Sequence, residues 1–195
     1  MKKYKLILVL FLMIVSLKSA FTQEHTKNAL TYSLGIGAAE NSKSEGLGIT
    51  FGLGYQREVW NDRFRIHPNF SFGIFNNAQT TDVSDVHFNT INLRLDLNYD
   101  LLRIKAFSLF IGTGVTVSHS IGLLGTGGRG IDGPSRTSSD FFRETNFAGN
   151  GLIGLRFNPQ KRKMAYELLL LNGSLGVKSD YVELKVFQVR MVRKL

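Results

Sequence analysis

Three sets of residues include the types that chemistry would need. His119 and Ser120, with Glu144 further on, supply the imidazole, hydroxyl and carboxylate of a nucleophilic hydrolase. Gly125-Thr126-Gly127-Gly128-Arg129-Gly130 spells a G-x-G-x-x-G phosphate-binding motif. His25, His67, His87 and His119, with Asp82 and Asp85, are the candidate metal ligands. Local context argues against each. Neighbouring residues of a strand point to opposite faces, so His119 and Ser120 do not form a nucleophile–base pair, and Ser118 fares no better. The glycine motif works where a strand passes into a helix whose N-terminus receives phosphate, whereas Ile131-Asp132-Gly133-Pro134 follows here with no helical pattern. The histidines are scattered without metal-ligand spacing, and no calcium-loop pattern accompanies Asp82 and Asp85. With no cysteine there is no disulfide, thiolate zinc site, cysteine nucleophile or lipid-modified N-terminal cysteine. The expectation is a non-enzyme without cofactor or metal.

The elements that hold these residues are strands. From residue 28 on, the hydrophobic pattern has period two. Ile91, Leu93, Leu95, Leu97 and Tyr99 alternate with Thr90, Asn92, Arg94, Asp96 and Asn98. Leu47, Ile49, Phe51, Leu53 and Tyr55 alternate with Gly48, Thr50, Gly52, Gly54 and Gln56, and Phe64, Ile66, Phe70, Phe72 and Ile74 with Arg65, His67, Asn69, Ser71 and Gly73. The segments around 30–36, 107–118 and 146–157 behave alike. Two are less regular: Leu168 to Leu171 run together, and the last segment changes phase between Val186 and Phe187, which predicts a bulge. Pro68 removes a ladder donor from the third segment.

Eight such segments, each about 9 to 12 residues long, match the length that a tilted strand needs to cross hydrocarbon. Their links alternate: 38–46, 76–85, 120–144 and 172–180 read as long or polar, and 60–63, 100–105 and 158–163 as short. That is the layout of outer-membrane barrels, with long extracellular loops and short periplasmic turns. Residues 1–22 read as a secretory signal, with Lys2, Lys3 and Lys5 before the apolar run Leu6–Leu17, which is too short to span a membrane. Residues 23–195 are then the barrel domain. Removing four lysines with the signal cuts the formal charge from +9 to +5, which weakens any nucleic-acid reading.

The fold class expected is therefore an all-β, eight-stranded antiparallel up-and-down transmembrane barrel, its apolar face toward lipid. Arg65, Arg94, Asp96, Arg156 and Glu167 then lie inside, where opposite charges pair and hold the strands in register. Tyr55, Trp60, Phe64, Tyr99, Phe107, Phe157 and Tyr166 cluster at the short turns as an aromatic girdle. The rival fold, a soluble lipocalin-like binder, reverses the faces and would place a hydrophobic ligand inside.

With ITFGLGYQREVW and NTINLRLDLNYDLL as its most typical runs, Ala29 to Leu195 resembles the small eight-stranded outer-membrane barrels: the OmpA transmembrane domain, OmpX and the porin-like barrel family of Bacteroidota. The tail FQVRMVRKL departs from them in lacking a terminal aromatic. The resemblance implies a Gram-negative outer-membrane protein with a structural or surface-interaction role, or else a narrow porin-like channel. A lipid A deacylase activity, known in such barrels, would need a His-x-Ser spacing that is absent. Partners are outer-membrane lipids, with Lys43, Arg129, Arg136, Arg143 and Lys178 set to meet lipopolysaccharide phosphates; no nucleic acid is expected, and a monomer is favoured.

Overall fold

The computed structural model describes residues 28–195 except 43, 60–62, 77–85, 128–136, 160–162 and 178. The signal reading of 1–22 lies outside the described residues. Eight strands follow one another: β1 (Asn28–Asn41), β2 (Ser44–Val59), β3 (Phe64–Asn76), β4 (Val86–Ile104), β5 (Phe107–Gly127), β6 (Thr137–Phe157), β7 (Met164–Gly176) and β8 (Val182–Lys194). Each pairs antiparallel with its sequence neighbours, and β1 pairs with β8 to close the barrel.

Pairing fixes the geometry. From Asn28, paired residues run around the wall through Arg57, Ile66, Leu97, Thr113, Gly151, Gly173 and Leu184 back to β1 at Ala38, ten residues higher (38 − 28). With eight strands, a shear of ten implies a tilt of about 40° and a backbone radius of about 8 Å, so side chains fill the interior.

The faces fall as a membrane barrel requires. Leu34, Ile36, Leu53, Leu93, Val115 and Phe147 are more than half exposed on the outside. Inside, Gln56, Arg65, Asp96 and Asn98 are fully buried. A continuous apolar surface of this size is not left to water, so the reversed faces of the lipocalin-like alternative do not occur. Glycine suits the crowded wall: a Cβ on Gly114 would sit 2.1 Å from the Leu95 carbonyl oxygen.

Several predicted links are strand. The 38–46 segment is two strand ends around a tight turn, where the Asn41 carboxamide oxygen accepts the Ser44 N–H at 2.9 Å and the Ser44 hydroxyl at 3.0 Å. The 120–144 segment is largely ladder, paired from Ser120↔Glu144 up to Gly127↔Thr137. The 100–105 link is also mostly strand, as β4 continues to Ile104. Ladder hydrogen bonds do not require apolar side chains, so alternation fades too early where the outward face turns polar, as at Arg143 in the 120–144 segment, and it breaks at 100–105 where the β4–β5 register shifts between Asp100 and Leu102.

Two irregularities have definite forms. Phe187 adopts φ 56°, and the β1–β8 register shifts there, so the predicted bulge is present. The β6–β7 register shifts between Ile153 and Gly154, leaving Leu170 as an extra residue on β7. Leu169↔Gln188 and Leu171↔Val186 keep β7 and β8 in step, because the two bulges stand at the same height. Together they turn Leu169 and Gln188 inward and Leu171 and Phe187 outward. Pro68 pairs with Leu95 on β4, while the ladder to β2 skips Tyr55 and Gln56 beside it. Its missing donor therefore faces a gap in the wall.

Candidate functional site

The feature the strands assemble is the barrel interior. Alternation turns every second residue inward, and the ten-residue shear decides which inward side chains share a level. Two charged layers result. Nearest the end where β4 turns into β5 at 105–106, Glu167 on β7 is ringed by arginines: Arg190 Nη1 donates to its Oε2 at 2.9 Å, and Arg156 Nε and Arg65 Nε lie 3.6 Å and 3.9 Å from its Oε1. Arg65 also donates to Asp100, and Arg156 reaches across the lumen from β6 to Glu58 on β2 at 2.5 Å. Arg103, at the rim, holds the second oxygen of Asp100 at 2.9 Å.

The second layer centres on Asp96. Asn150 and Asn69 donate to its carboxylate, the latter at 3.0 Å, with Arg94 and His67 each 3.5 Å away. Arg94 donates to Asn172 at 2.7 Å and Asn172 to Gln188 at 2.9 Å, which ties β4 through β7 to β8. His67 Nε2 lies 2.8 Å from the Thr31 hydroxyl. Higher still, Glu183 meets Lys185 at 3.1 Å and accepts from the Tyr181 hydroxyl at 3.1 Å.

The interior closes toward the loop end on a small apolar cap of Ala39, Phe75, Phe88 and Phe142, with Phe75 and Phe88 stacked at 5.2 Å. Above it, the Ser42 hydroxyl in the β1–β2 turn donates to Glu144 on β6 at 2.9 Å. Among the described residues, five buried cations (Arg65, Arg94, Arg156, Lys185, Arg190) thus face five buried carboxylates (Glu58, Asp96, Asp100, Glu167, Glu183). Balance matters here, since an unmatched charge in a side-chain-filled lumen costs several kcal/mol, about 3–5.

All five interior residues expected from the sequence are buried on the lumen side, in two groups: Arg65, Arg156 and Glu167 in the lower layer, Arg94 and Asp96 in the upper. Sequence reasoning missed Glu58, Asp100, Glu183, Lys185 and Arg190. Carrying the alternation one step past Gln56 and past Asn98 would have found Glu58 and Asp100. Those on β8 needed the bulge to be placed first.

The hydrolase set does not assemble. Ser120 is buried in the lumen, His119 faces outward with Nδ1 2.8 Å from the Thr145 hydroxyl, and Glu144 is engaged by Ser42. Gly125 to Gly127 belong to β5, while 128–130, Asp82, Asp85 and His25 lie outside the described residues. Among the described residues no group of three or more potential ligands is placed to hold a metal. Outside, Phe64 pairs with Tyr99 and Phe157 with Tyr166, and the Phe107 and Phe157 rings approach to 4.7 Å. The girdle is in place at the turn end, apart from Trp60, which lies outside the described residues.

A closed antiparallel barrel with lipid-compatible walls and a charged, hydrogen-bonded interior defines the class: a transmembrane β-barrel of the outer-membrane type. Solved structures agree. The chain is similar to Neisserial surface protein A, at 10% identity and a TM-score of 0.59, over 86% of this chain and 97% of that one. It is also similar to Ail, the attachment invasion locus protein of Yersinia pestis, at 14% identity and a TM-score of 0.53, over 88% and 99%. No family model and no curated protein sequence matches it. At such identities the likeness is one of fold.

Proposed function

We propose that the protein is a Gram-negative outer-membrane barrel with a structural and surface-interaction role: a closed membrane anchor that presents its loop-end hairpins to the exterior. The observation that carries this reading is the interior. Five cations against five carboxylates, crossing the lumen from β6 to β2, hold opposite walls together and leave the centre to side chains rather than solute. The β5–β6 hairpin suits the surface role, because its ladder continues to Gly127↔Thr137 while the β6–β7 ladder ends at Ala148↔Gly176. At the loop end Arg143 is exposed, its guanidinium 5.0 Å from the Phe141 ring, a position suited to lipopolysaccharide phosphate. Lys43, Arg129, Arg136 and Lys178 lie outside the described residues.

Residues 23–195 refolded in detergent should migrate differently on an SDS gel before and after boiling, and should give no steady conductance in planar bilayers. A chain that stays folded and soluble without detergent refutes the membrane reading; stable channels refute the closed interior. Neutralising the five loop-end basic residues should weaken binding to purified lipopolysaccharide, and unchanged binding would refute that contact.

A further inference from the structure

Among the described residues, the two rims of the barrel carry opposite charge. At the turn end Arg63, Arg103, Lys105, Lys163 and Arg193 are exposed. The described carboxylate side chains of that end, Glu58 and Asp100, are turned inward and paired with Arg156 and Arg65. The loop end exposes Glu40, Glu45, Asp140 and Asp180 against Arg143. Four of the turn-end cations lie within three residues of an outward side chain: Arg63 directly precedes Phe64, Lys105 is two residues before Phe107, Lys163 three before Tyr166, and Arg193 two after Met191. Each therefore stands just beyond an outward apolar or aromatic side chain that ends the lipid-facing belt.

That order, apolar belt, then an aromatic ring (on β8, Met191 in its place), then a cation, is how side chains meet a bilayer interface: the ring sits at headgroup depth and the long basic side chain extends to the phosphates. We infer that the turn-end rim is a binding collar for anionic glycerophospholipid headgroups of the periplasmic leaflet. Phosphatidylglycerol provides the phosphodiester charge with a neutral glycerol. The cations come from the β2–β3, β4–β5 and β6–β7 turns and from the end of β8, so the collar surrounds the barrel rather than marking one side. An acidic protein partner would need a single patch. The continuity of the collar with the lipid-covered belt instead favours lipid. The inference rests on the membrane-barrel reading proposed above.

The test is lipid selectivity in bilayers, read by electron paramagnetic resonance of spin-labelled phosphatidylglycerol and phosphatidylcholine around the reconstituted chain. A single basic side chain near an anionic surface is worth roughly a fivefold preference. Wild type should favour phosphatidylglycerol severalfold, less so in high salt. The variant Arg63→Gln, Lys105→Gln, Lys163→Gln, Arg193→Gln should approach no preference. A loop-end variant, Lys43→Gln, Arg129→Gln, Arg136→Gln, Lys178→Gln, should keep most of it. Absence of selectivity in wild type, selectivity that survives the turn-end variant, or loss confined to the loop-end variant would each overturn the collar. A wild-type chain that inserts into neither bilayer overturns the barrel reading itself. Should the turn-end variant fail to insert, Arg63→Lys, Lys105→Arg, Lys163→Arg, Arg193→Lys must insert and retain the preference; otherwise the collar is wrong.

Discussion

Glu167→Gln removes one negative charge and almost no volume from the most crowded ionic cluster. In the native interior this carboxylate serves three guanidinium groups, but unequally. Arg65 keeps Asp100 and Arg156 keeps Glu58, whereas Arg190 has no other carboxylate within ion-pair distance among the described residues. The substitution therefore leaves one fully buried cation unpaired and turns a five-to-five balance into five against four. Breaking a buried pair on one side costs about 3–5 kcal/mol. We expect about 3 kcal/mol, because the carboxamide oxygen still accepts a hydrogen bond from Arg190. With urea slopes of about 1–3 kcal/mol/M, the unfolding midpoint in lipid vesicles should fall by about 1–3 M. Adding Arg190→Met removes the orphaned charge, so the double variant should lose less than the sum of the two single losses. A Glu167→Gln midpoint within about 0.5 kcal/mol of wild type, or strictly additive losses, would refute a charge-balanced interior.

Other substitutions probe separate parts of the argument by the same unfolding assay. Arg94→Leu strands Asp96 and breaks the link to Asn172, and should cost about 3 kcal/mol; an unchanged midpoint would count against the upper layer. Gly114→Ala drives a Cβ against the Leu95 carbonyl and should cost about 1–3 kcal/mol, while Gly151→Ala, with no atom within 4 Å of the new Cβ, should be neutral or slightly stabilising; equal effects would refute the inward and outward assignment on β5 and β6. Leu93→Arg puts a charge on the lipid face and should cost about 2–4 kcal/mol in a bilayer; a neutral result would mean that this face is not in hydrocarbon. Phe88→Ala opens the apolar cap and should cost about 3–5 kcal/mol, and a neutral midpoint would mean that the cap does not help close the barrel.

The fold was legible because a membrane barrel repeats one physical rule eight times. Thr90 to Tyr99 show it without interruption: each apolar residue of this stretch is exposed and each polar one buried. Strand ends were the weak point. Asn41 and Ser44 close a tight turn through one carboxamide, which no count of polar residues over 38–46 reveals. Beyond the belt, Ser120 and Glu144 remain paired by backbone alone. The run from Leu168 to Leu171 resisted reading for another reason: two adjacent apolar residues can occupy opposite faces or share one, and only the bulge at Leu170 decides.

Charge partners were harder to read than strands, because they depend on the barrel closing with a given shear. Alternation states that Arg156 and Glu58 both point inward, but 98 residues separate them, on strands opposite each other in the ring. Only a lumen about 8 Å in backbone radius, with strands tilted by about 40°, brings the two groups to one height. A change of shear by two residues would keep every side chain on the face it now occupies, and so satisfy the entire hydrophobic pattern. It would also set Arg156 and Glu58 at different levels and separate Arg190 from Glu167. The apolar belt therefore selects a barrel, and the interior ion pairs select this barrel among those the belt allows. On that argument the buried charges act through specificity: variants that break a pair should broaden the set of folded registers as well as lower the unfolding midpoint.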